Sequence, residues 1–285
     1  MSQPNHPTTP APYTDHTAPG KTPAKPRFSL LVQKCHPLPQ GGAAAFGYVH
    51  GKISLHEQVH ILDPQGNVHT ATVELIKIEE TKPAPSAKNQ YILLHLKDLA
   101  ANTAVGRLAV LTDLAPQSVQ NSVTVPANPY LTGLLNEYSL LHQDPYYASI
   151  LLYAVCHAHY MVPVQVTHAP FNVQTNNTAK STDITFLSLK AEDGSRADFP
   201  LFTDMQSFEK WKTTFNEPLP KTVTVKFSHI ASLTKENRHG LLINPFGPVS
   251  FPMPYDFVQH VTNMEQYRQE FAPASDSDTP EESDR

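Results

Sequence analysis

The sequence predicts two domains, a small all-β barrel followed by an α+β domain. The 285 residues suffice for two domains of ordinary size, since large chains divide into units of about 100 to 200 residues. Residues 27–113 consist of short β-branched or alternating runs separated by turn residues. After about residue 129, the apolar residues take on helical spacing, with strand-like runs between the helical segments.

Both ends of the chain are predicted to be disordered. Residues 1–26 are rich in Pro and Thr, and residues 272–285 form an acidic tail rich in Ser. Neither segment carries enough apolar side chains to offset the entropy that ordering costs. The N-terminus lacks the apolar core of a signal peptide, and no apolar run approaches the ~18 residues of a membrane span. We therefore expect a cytoplasmic protein without a membrane partner.

In the first domain, "VHIL" and "VHTATV" flank the stretch "DPQGN". Pro64 presets φ and Gly66 accepts a positive φ, so this stretch predicts a β-hairpin. Short strands at this spacing are typical of a small barrel or sandwich. Residues 114–128 are predicted to link the two domains.

Two helices are predicted to open the second domain, residues 129–271. Asn128 would cap the first helix, with Pro129 at the first helical position, and Asp144 with Pro145 repeats this pattern for the second helix. The apolar face of the first helix would carry Leu131, Leu134, Leu135, Tyr138 and Leu141.

The remainder of this domain is predicted to mix strands and helices. "YMVPVQV" is a strand, and "ITFLSLK" and "ADFPLF" form an antiparallel hairpin around "AEDGSR". Thr203 and Gln206 form a capping box, Ser228 caps a second short helix after the strand "TVTVKF", and "GLLI" is the last buried strand. One terminal helix follows. The helix after Thr203 would align Met205, Phe208, Trp211 and Phe215.

The segment from Phe28 to Thr112 resembles the domain-2 barrel of elongation-factor-Tu-type translation factors. The stretch "FGYVHGKISLHEQVHIL" carries the likeness through Gly47, Val49 and the turn at Gly51, while His56 replaces a glycine of the pattern. "YILLHLKDL" and "VGRL" match the closing strands. The chain has no G-x-x-x-x-G-K-[ST] motif, so the resemblance does not imply GTP hydrolysis.

Residues 129–262 resemble the N-terminal domain of the SseB ("enhanced serine sensitivity") family. The likeness lies in "ADFPLFTDMQSFEKW", with Pro200 to Thr203, and in "GLLINPFGPVSFP". It implies a small bacterial cytoplasmic domain, linked to serine sensitivity or secretion, without a transferable enzymatic activity or cofactor.

Catalytic and metal-binding arrangements are weaker hypotheses. Cys156, His157 and His159 offer a thiol and two imidazoles, but a structural zinc site needs four ligands and no second pair is present. Cys156 as a nucleophile would need a base that faces it, whereas the adjacent His157 points elsewhere. In the barrel, three histidines could approach one another across the hairpin. These are His56, His60 and His69. We predict no catalytic, cofactor or metal site, and regard these residues as core or surface positions.

The stretch "GLLINPFGPVSF" supplies the candidate binding site. As a turn, Asn244 would bond its own backbone, Pro245 would fix φ and Gly247 would take the positive φ. Phe246 at the tip is not explained by a turn, and the basic stretch "KENRH" precedes it. The ring would either meet a partner or fold back onto the terminal helix. The candidate binding residues are Lys235, Arg238, Asn244, Pro245, Phe246 and Gly247.

A non-enzymatic module that acts through contacts with a protein partner is the leading functional prediction. The alternative is RNA or ribosome association through the barrel, which requires exposed basic and aromatic side chains. Arg107 is the only arginine in residues 28–112, and the net charge of −5 argues against a broad grip on nucleic acid. A third hypothesis is a hydrolase or metal enzyme that uses some of the 15 histidines.

Overall fold

The computed structural model describes most of both predicted domains. The described residues are 26–79, 81–100, 103, 105–115, 125–168, 182–190, 196–213, 220–247 and 249–271. The predicted disordered ends, Phe215 and most of the linker lie outside these ranges, so those predictions stay untested.

The first domain is a closed antiparallel barrel. Six strands close in the order β1-β8-β4-β5-β7-β3-β1, while β2 extends the sheet beside β3 and β6 pairs with β5. Its strands are β1 (Phe28–Leu31), β2 (Lys34–Pro37), β3 (Ala43–Ser54), β4 (Gln58–Leu62), β5 (Val68–Ile78), β6 (Lys82–Pro83), β7 (Ser86–Lys97) and β8 (Val110–Thr112).

The predicted hairpin is confirmed. β4 pairs with β5 in antiparallel register from Gln58–Thr72 to Leu62–Val68. Gly66 has the expected positive φ of 85°, and the carboxylate of Asp63 accepts the backbone N–H groups of Gln65 and Asn67 at 2.9 and 2.8 Å. The turn chemistry visible in the sequence thus forms locally.

The second domain comprises seven helices and seven strands within the described residues. The helices are α1 (Pro129–Asn136), α2 (Tyr138–Leu141), α3 (Pro145–His157), α4 (Met205–Lys212), α5 (Phe227–Asn237), α6 (Tyr255–Asn263) and α7 (Glu265–Phe271). The strands are β9 (His159–His168), β10 (Thr182–Phe186), β11 (Leu189–Lys190), β12 (Ala197–Leu201), β13 (Lys221–Lys226), β14 (Gly240–Ile243) and β15 (Phe251–Met253).

These strands form two small sheets, ordered β10-β9-β13 and β11-β12-β14-β15. An antiparallel bridge joins the sheets, because Met161 and Phe202 exchange backbone hydrogen bonds of 3.0 and 2.9 Å. All neighbouring strands are antiparallel except β12 and β14, which run parallel. Together with the helices they form the predicted α+β domain.

Helix α1 packs against the barrel, and the two domains share a hydrophobic core. The methyl groups of Val110 occupy the space beside Gly133, where an added Cβ would lie 2.6 Å from one of them. Tyr130 donates its hydroxyl to the carbonyl of Leu108 at 3.1 Å. The barrel contributes Leu31, Leu62, Leu108 and Val110 to this shared core.

The predicted helix starts are only partly correct. Asp144 caps α3 by accepting the N–H groups of Tyr146 and Tyr147, as predicted. Asn128 precedes α1 but makes no capping bond, since its amide donates to the carbonyls of His159 and Thr203, both at 2.8 Å.

Two capping predictions are wrong by one or two residues. Asp204, not Thr203, caps α4, since its carboxylate accepts the N–H of Ser207 at 2.8 Å. Helix α5 begins directly after β13, with Lys226 at the N-cap position and without a side-chain capping bond, so Ser228 lies inside the helix.

Three strand and helix predictions need correction. β10 pairs with β9 rather than with β12, and only Leu189–Lys190 pairs with the start of β12. β14 is not the last strand, because β15 pairs with it. The terminal helix divides at Met264 into α6 and α7. Within the described residues, no helix is long and apolar enough to cross a membrane.

Candidate functional site: an aromatic turn beside an interdomain cleft

The parallel pair β12 and β14 ends at one edge of its sheet. The register from Asp198–Gly240 to Leu201–Ile243 brings the chain after β12 and the chain after β14 side by side. Thr203 and Asn244 therefore meet at this edge. In sheets with parallel strands, the carboxyl ends of the strands are a common place for binding sites.

Asn244 is buried and joins the ends of β12 and β14 through hydrogen bonds. Its amide oxygen accepts the N–H of Thr203 at 3.0 Å, and its Nδ2 donates to the Thr203 hydroxyl at 2.9 Å. The backbone N–H of Asn244 donates to the carbonyl of Leu201 at 2.7 Å. The prediction that Asn244 bonds its own backbone is wrong, because Thr203, 41 residues away in sequence, takes both ends of its amide.

The Asn-Pro-Phe-Gly stretch forms a tight turn in which both Asn244, with φ of 50°, and Phe246 are left-handed. The N–H of Gly247 donates to the carbonyl of Asn244 at 3.0 Å, and Pro245 occupies the second position. Phe246 has φ of 59°, whereas Gly247 is not in the left-handed region. Turns with Pro second and a positive φ third normally carry Gly or Asn at that third position. The prediction for Gly247 is therefore wrong, and the positive φ values fall on Asn244 and on the aromatic residue Phe246.

The ring of Phe246 points into solvent. Its exposed fraction is 69%, the highest among the large apolar residues that the structure describes. It does not fold back onto the terminal helix, which was the alternative interpretation of the sequence. Pro245 and Asn244 beneath it are buried, so an exposed ring projects from a buried base.

A cleft of about 380 Å³ lies beside this turn, where the barrel meets the second domain. Asn244 and Val249 line it on either side of Phe246 in sequence. Its polar lining includes Arg27, His50, Asn136, Asp204, Ser207 and Lys210.

The ionisable groups of the cleft are mostly committed to structural bonds. Arg27 pairs with Asp113 and Glu57, and the hydrogen bond to Asp113, followed by the charge of Glu57, raises the pKa of Arg27. The carboxylate of Asp204 caps α4. Lys210 is exposed and forms no ion pair with a described residue, so it is the charge that the cleft offers to a partner.

The buried carboxylate of Glu137 borders this region and joins the domains. It accepts from the Nε2 of His50 at 2.6 Å and from the amide of Gln33 at 3.5 Å. Glu137 is also the residue at which the predicted first helix breaks into α1 and α2. Because the helix breaks at Glu137, the carboxylate of this residue of the second domain reaches the barrel.

The basic residues of the predicted site lie elsewhere. Arg238 ends α5 with φ of 53°, and its guanidinium carbon lies 5.6 Å from the ring centre of Tyr255. Lys235 lies in the last turn of α5. Both residues precede β14, and the four residues of that strand separate its start from the turn by about 13 Å. The six predicted binding residues therefore do not form one surface.

The Cys156–His159 stretch does not assemble a reactive centre. Burial raises the pKa of the Cys156 thiol to about 12, so the thiolate needed for attack or metal binding is scarce at neutral pH. His157 bonds Glu270 at 2.7 Å and the carbonyl of Tyr153 at 2.8 Å. His159 begins β9, and burial, followed by the charge of Lys226, lowers its pKa.

The barrel histidines do not converge either. His60 pairs across the hairpin with Thr70, and His69 pairs with Ile61. Neighbouring residues of a strand point to opposite faces, so His60 and His69 lie on opposite sides of the sheet. His56 occupies an exposed turn with φ of 63°. Among the described residues, no group of three or more His, Cys, Asp or Glu could hold a metal ion.

Sequence reasoning missed the role of Thr203 and the interdomain cleft. Thr203 resembled a helix cap because it precedes a helical run, and nothing near it in sequence identifies Asn244 as its partner. The continuous apolar runs "SLLV" and "LAVL" in the barrel could have indicated that both faces of these strands are covered.

Comparisons with known proteins identify the family of the second domain. Residues 131–260 match the family model of the SseB protein N-terminal domain, which confirms the resemblance drawn for the second domain. A structural comparison found translation elongation factor SelB from Methanococcus maripaludis, in its apo form, at 8% identity and a TM-score of 0.29. That match covers 70% of this chain but only 36% of the elongation factor, and its TM-score is too low to support an argument. No curated protein matches the sequence.

Proposed function

We propose that this protein, whose second domain is of the SseB N-terminal type, is a non-catalytic module that binds a protein partner through Phe246. The single observation that carries the proposal is that the ring of Phe246 is 69% exposed, while its backbone is left-handed and follows two buried residues, Asn244 and Pro245.

The conformation of Phe246 is costly for the fold. A residue with a Cβ pays about 1–2 kcal/mol in the left-handed region, which Gly avoids. The exposed ring recovers little of this cost through burial. A turn selected for stability alone would carry Gly or Asn at this position, and strained residues concentrate at functional sites. The strain at Phe246 is explained if the ring contributes binding free energy in a complex with a partner.

The hydrogen bonds around this turn suit a binding role because they fix the backbone of Phe246 before a partner binds. Asn244 is held by Thr203 and Leu201, and the turn closes on Gly247. A preorganised aromatic anchor loses little conformational entropy on binding, and such residues often dominate protein interfaces. We infer a partner with an apolar recess for Phe246 and, opposite Lys210 in the cleft, an acidic group.

The wider setting of this activity is part of the proposal. We propose in addition a regulatory role in a bacterial cytoplasm, connected with sensitivity to serine, which is what the resemblance to the SseB family implies. A deletion strain whose growth at high serine equals that of its parent would remove this part of the proposal and leave the binding role intact.

The binding role is tested with full-length tagged protein. Partners recovered with wild type are identified, and each is purified and titrated against wild type, Phe246→Ala and Leu140→Ala. Leu140 is the matched control, because its apolar side chain is 63% exposed on α2. Truncation of a dominant interface aromatic costs about 2 kcal/mol or more, so we expect a complex weaker by about 30-fold or more for Phe246→Ala alone.

Thermal unfolding of the same variants provides the control for folding. Equal affinity of wild type and Phe246→Ala for every purified partner would contradict the proposal. So would a Phe246→Ala protein that binds less only because it is partly unfolded, a case that circular dichroism at the assay temperature detects.

A further inference from the structure

Three aromatic rings lie together on the outer surface of the barrel. On β3, buried Ala45, Gly47 and Val49 alternate with less buried Phe46 and Tyr48. Residues of a strand alternate between faces, so Phe46 and Tyr48 point out of the barrel. The register of β3 and β7 places Tyr91 directly opposite Tyr48, on the same outer face.

The rings are held in a defined arrangement. Phe46 and Tyr91 are nearly parallel, with centroids 5.6 Å apart and an interplanar angle of 10°. Tyr48 meets Tyr91 edge-on at 5.2 Å, and its hydroxyl donates to the carbonyl of Asn89 at 2.8 Å. Cross-strand aromatic pairs of this kind stabilise a sheet. Tyr91 nevertheless stays 43% exposed, so its ring remains open to a ligand.

Lysines flank the rings. Lys34 lies opposite Phe46, Phe46 lies opposite Leu93, and Leu93 lies opposite Lys77, so one row across the sheet has a lysine at each end. A second pair, Lys52 and Lys88, lies on β3 and β7 at the other end of the rings. None of the four forms an ion pair with a described residue.

The charge of the barrel differs from that of the whole protein. Residues 27–113 contain eight Lys and Arg against seven Asp and Glu, whereas the full chain carries a net charge of −5. The acidic excess therefore lies outside the barrel. Four free ammonium groups around apolar rings form a local surface that attracts anions with flat apolar parts.

We propose that this face binds single-stranded nucleic acid. We define the face by Lys34, Phe46, Tyr48, Lys77 and Tyr91, extended by the pair Lys52 and Lys88. Bases stack on Tyr91 and Phe46, while the lysines contact phosphates, as in sequence-tolerant binding of single strands. A duplex hides the faces of its bases from such a platform. The side chains that nucleic-acid binding demands are present here, with Tyr91, Lys34, Lys52 and Lys88 exposed and lysine in place of arginine.

The test uses the full chain and fluorescently labelled strands. Anisotropy is measured with oligo-uridine, oligo-thymidine and a duplex, each of about 12 nucleotides, at salt concentrations of about 50 and 200 mM. We expect both single strands to bind better than the duplex, and binding to weaken with salt. A preference for uridine identifies RNA as the ligand, equal affinity identifies single strands in general, and both outcomes support the proposal.

Substitutions connect the binding to this face. Base stacking on an aromatic ring contributes about 1–3 kcal/mol, so Tyr91→Ala should weaken binding about 5- to 150-fold, whereas Tyr91→Phe should retain it. Lys34→Ala combined with Lys77→Ala should reduce the slope of log K against log salt by about 1.4. Tyr153→Ala, which alters a ring 46% exposed on α3, is the matched control and should not change binding.

Three results would overturn the proposal. The first is the lack of saturable binding to either single strand at the lower salt concentration. The second is duplex binding as strong as single-strand binding. The third is full binding by Tyr91→Ala or by the double lysine variant. If Tyr91→Ala loses stability, the lysine variant and Tyr91→Phe still decide, because neither removes the ring from the sheet.

Discussion

The two domains differ in whether each encloses its own core. The barrel closes six strands around a separate apolar interior that includes Val49, Ile53 and Leu94. The core of the second domain is open on one side, and Leu31, Leu62, Leu108 and Val110 of the barrel complete it. The barrel thus covers the side of the second domain's core that would otherwise be exposed.

This difference appears in single strands of the barrel. In β1, Leu30 points into the barrel and Leu31 points out against the second domain. In β8, Leu111 points in and Val110 points out. Strands that are covered on both faces carry continuous apolar runs. The second domain therefore shares its core with the barrel, and we expect that it is not an independent folding unit.

The largest expected effect is the separation of the domains. Residues 26–115 alone should fold, because their closed sheet and interior core stay complete. Residues 125–271 alone should remain without fixed tertiary packing, because the barrel side of their core is missing. Near-ultraviolet circular dichroism and amide chemical-shift dispersion of the two fragments measure this. A well-dispersed spectrum from residues 125–271 would show that the shared core is dispensable.

The next effect concerns the contact between Gly133 of α1 and Val110 of the barrel. In Gly133→Ala, the added methyl would lie 2.6 and 2.7 Å from the methyl groups of Val110. Ala normally stabilises a helix by about 1 kcal/mol relative to Gly, but overpacking should reverse the sign and cost about 1–3 kcal/mol. Urea denaturation measures the change, and Val110→Ala should partly rescue it.

Gly106→Ala is the control for this prediction, since nothing lies within 4 Å of the added methyl group. We expect it to change the free energy of unfolding by less than about 0.5 kcal/mol. Equal destabilisation by the two substitutions would mean that the contact between Gly133 and Val110 does not hold the domains together.

A smaller effect compares one left-handed residue from each domain. His56 in the barrel has φ of 63°, and Phe246 in the second domain has φ of 59°. Replacement of either by Gly should stabilise the protein by up to about 1 kcal/mol, because Gly relieves the backbone strain. Only Phe246→Gly should also weaken partner binding. If Phe246→Gly unfolds at a lower temperature than wild type, the ring contributes to folding and the binding proposal loses its main support.

The smallest effect is the pH dependence of the exposed ion pair between Arg107 and Asp144. The hydrogen bond from Arg107 holds the pKa of Asp144 below its ordinary 3.8, assisted by the N–H groups of Tyr147 and Tyr146. A lowered pKa in the folded state contributes stability above 3.8 that is lost as the pH falls through the folded-state value.

Asp144→Asn removes the charge and keeps a side chain that can cap α3. Thermal unfolding from about pH 6 to about pH 2 should therefore show a shallower acid loss for the variant. Parallel curves for the two proteins would contradict the predicted contribution of this pair to stability above the folded-state pKa of Asp144.

Much of the fold was predictable because its causes are local. The turn at Gly66 and the start of α3 at Asp144 rest on residue types within a few positions of one another. The cap at Thr203 was misplaced because two adjacent polar residues compete for one helix end, and Asp204 takes it. The cap at Ser228 was misplaced because α5 begins directly after β13 without a side-chain capping bond. The candidate site follows the same division. The turn around Pro245 was predictable from adjacent residues. The conformation of Phe246 was not, because the turn is anchored by hydrogen bonds between Asn244 and Thr203, which lie 41 residues apart.

By itself, the sequence determined most of the order of the strands and helices, the change from barrel to α+β domain and the SseB-type character of residues 131–260. These features depend on the periodicity of apolar side chains and on turn chemistry, which act within short stretches of chain. Only the tertiary structure decided that the barrel completes the core of the second domain, that Phe246 faces solvent, and that Phe46, Tyr48 and Tyr91 meet on one face. Each of these depends on which distant segments become neighbours, and burial and strand register are set by those neighbours.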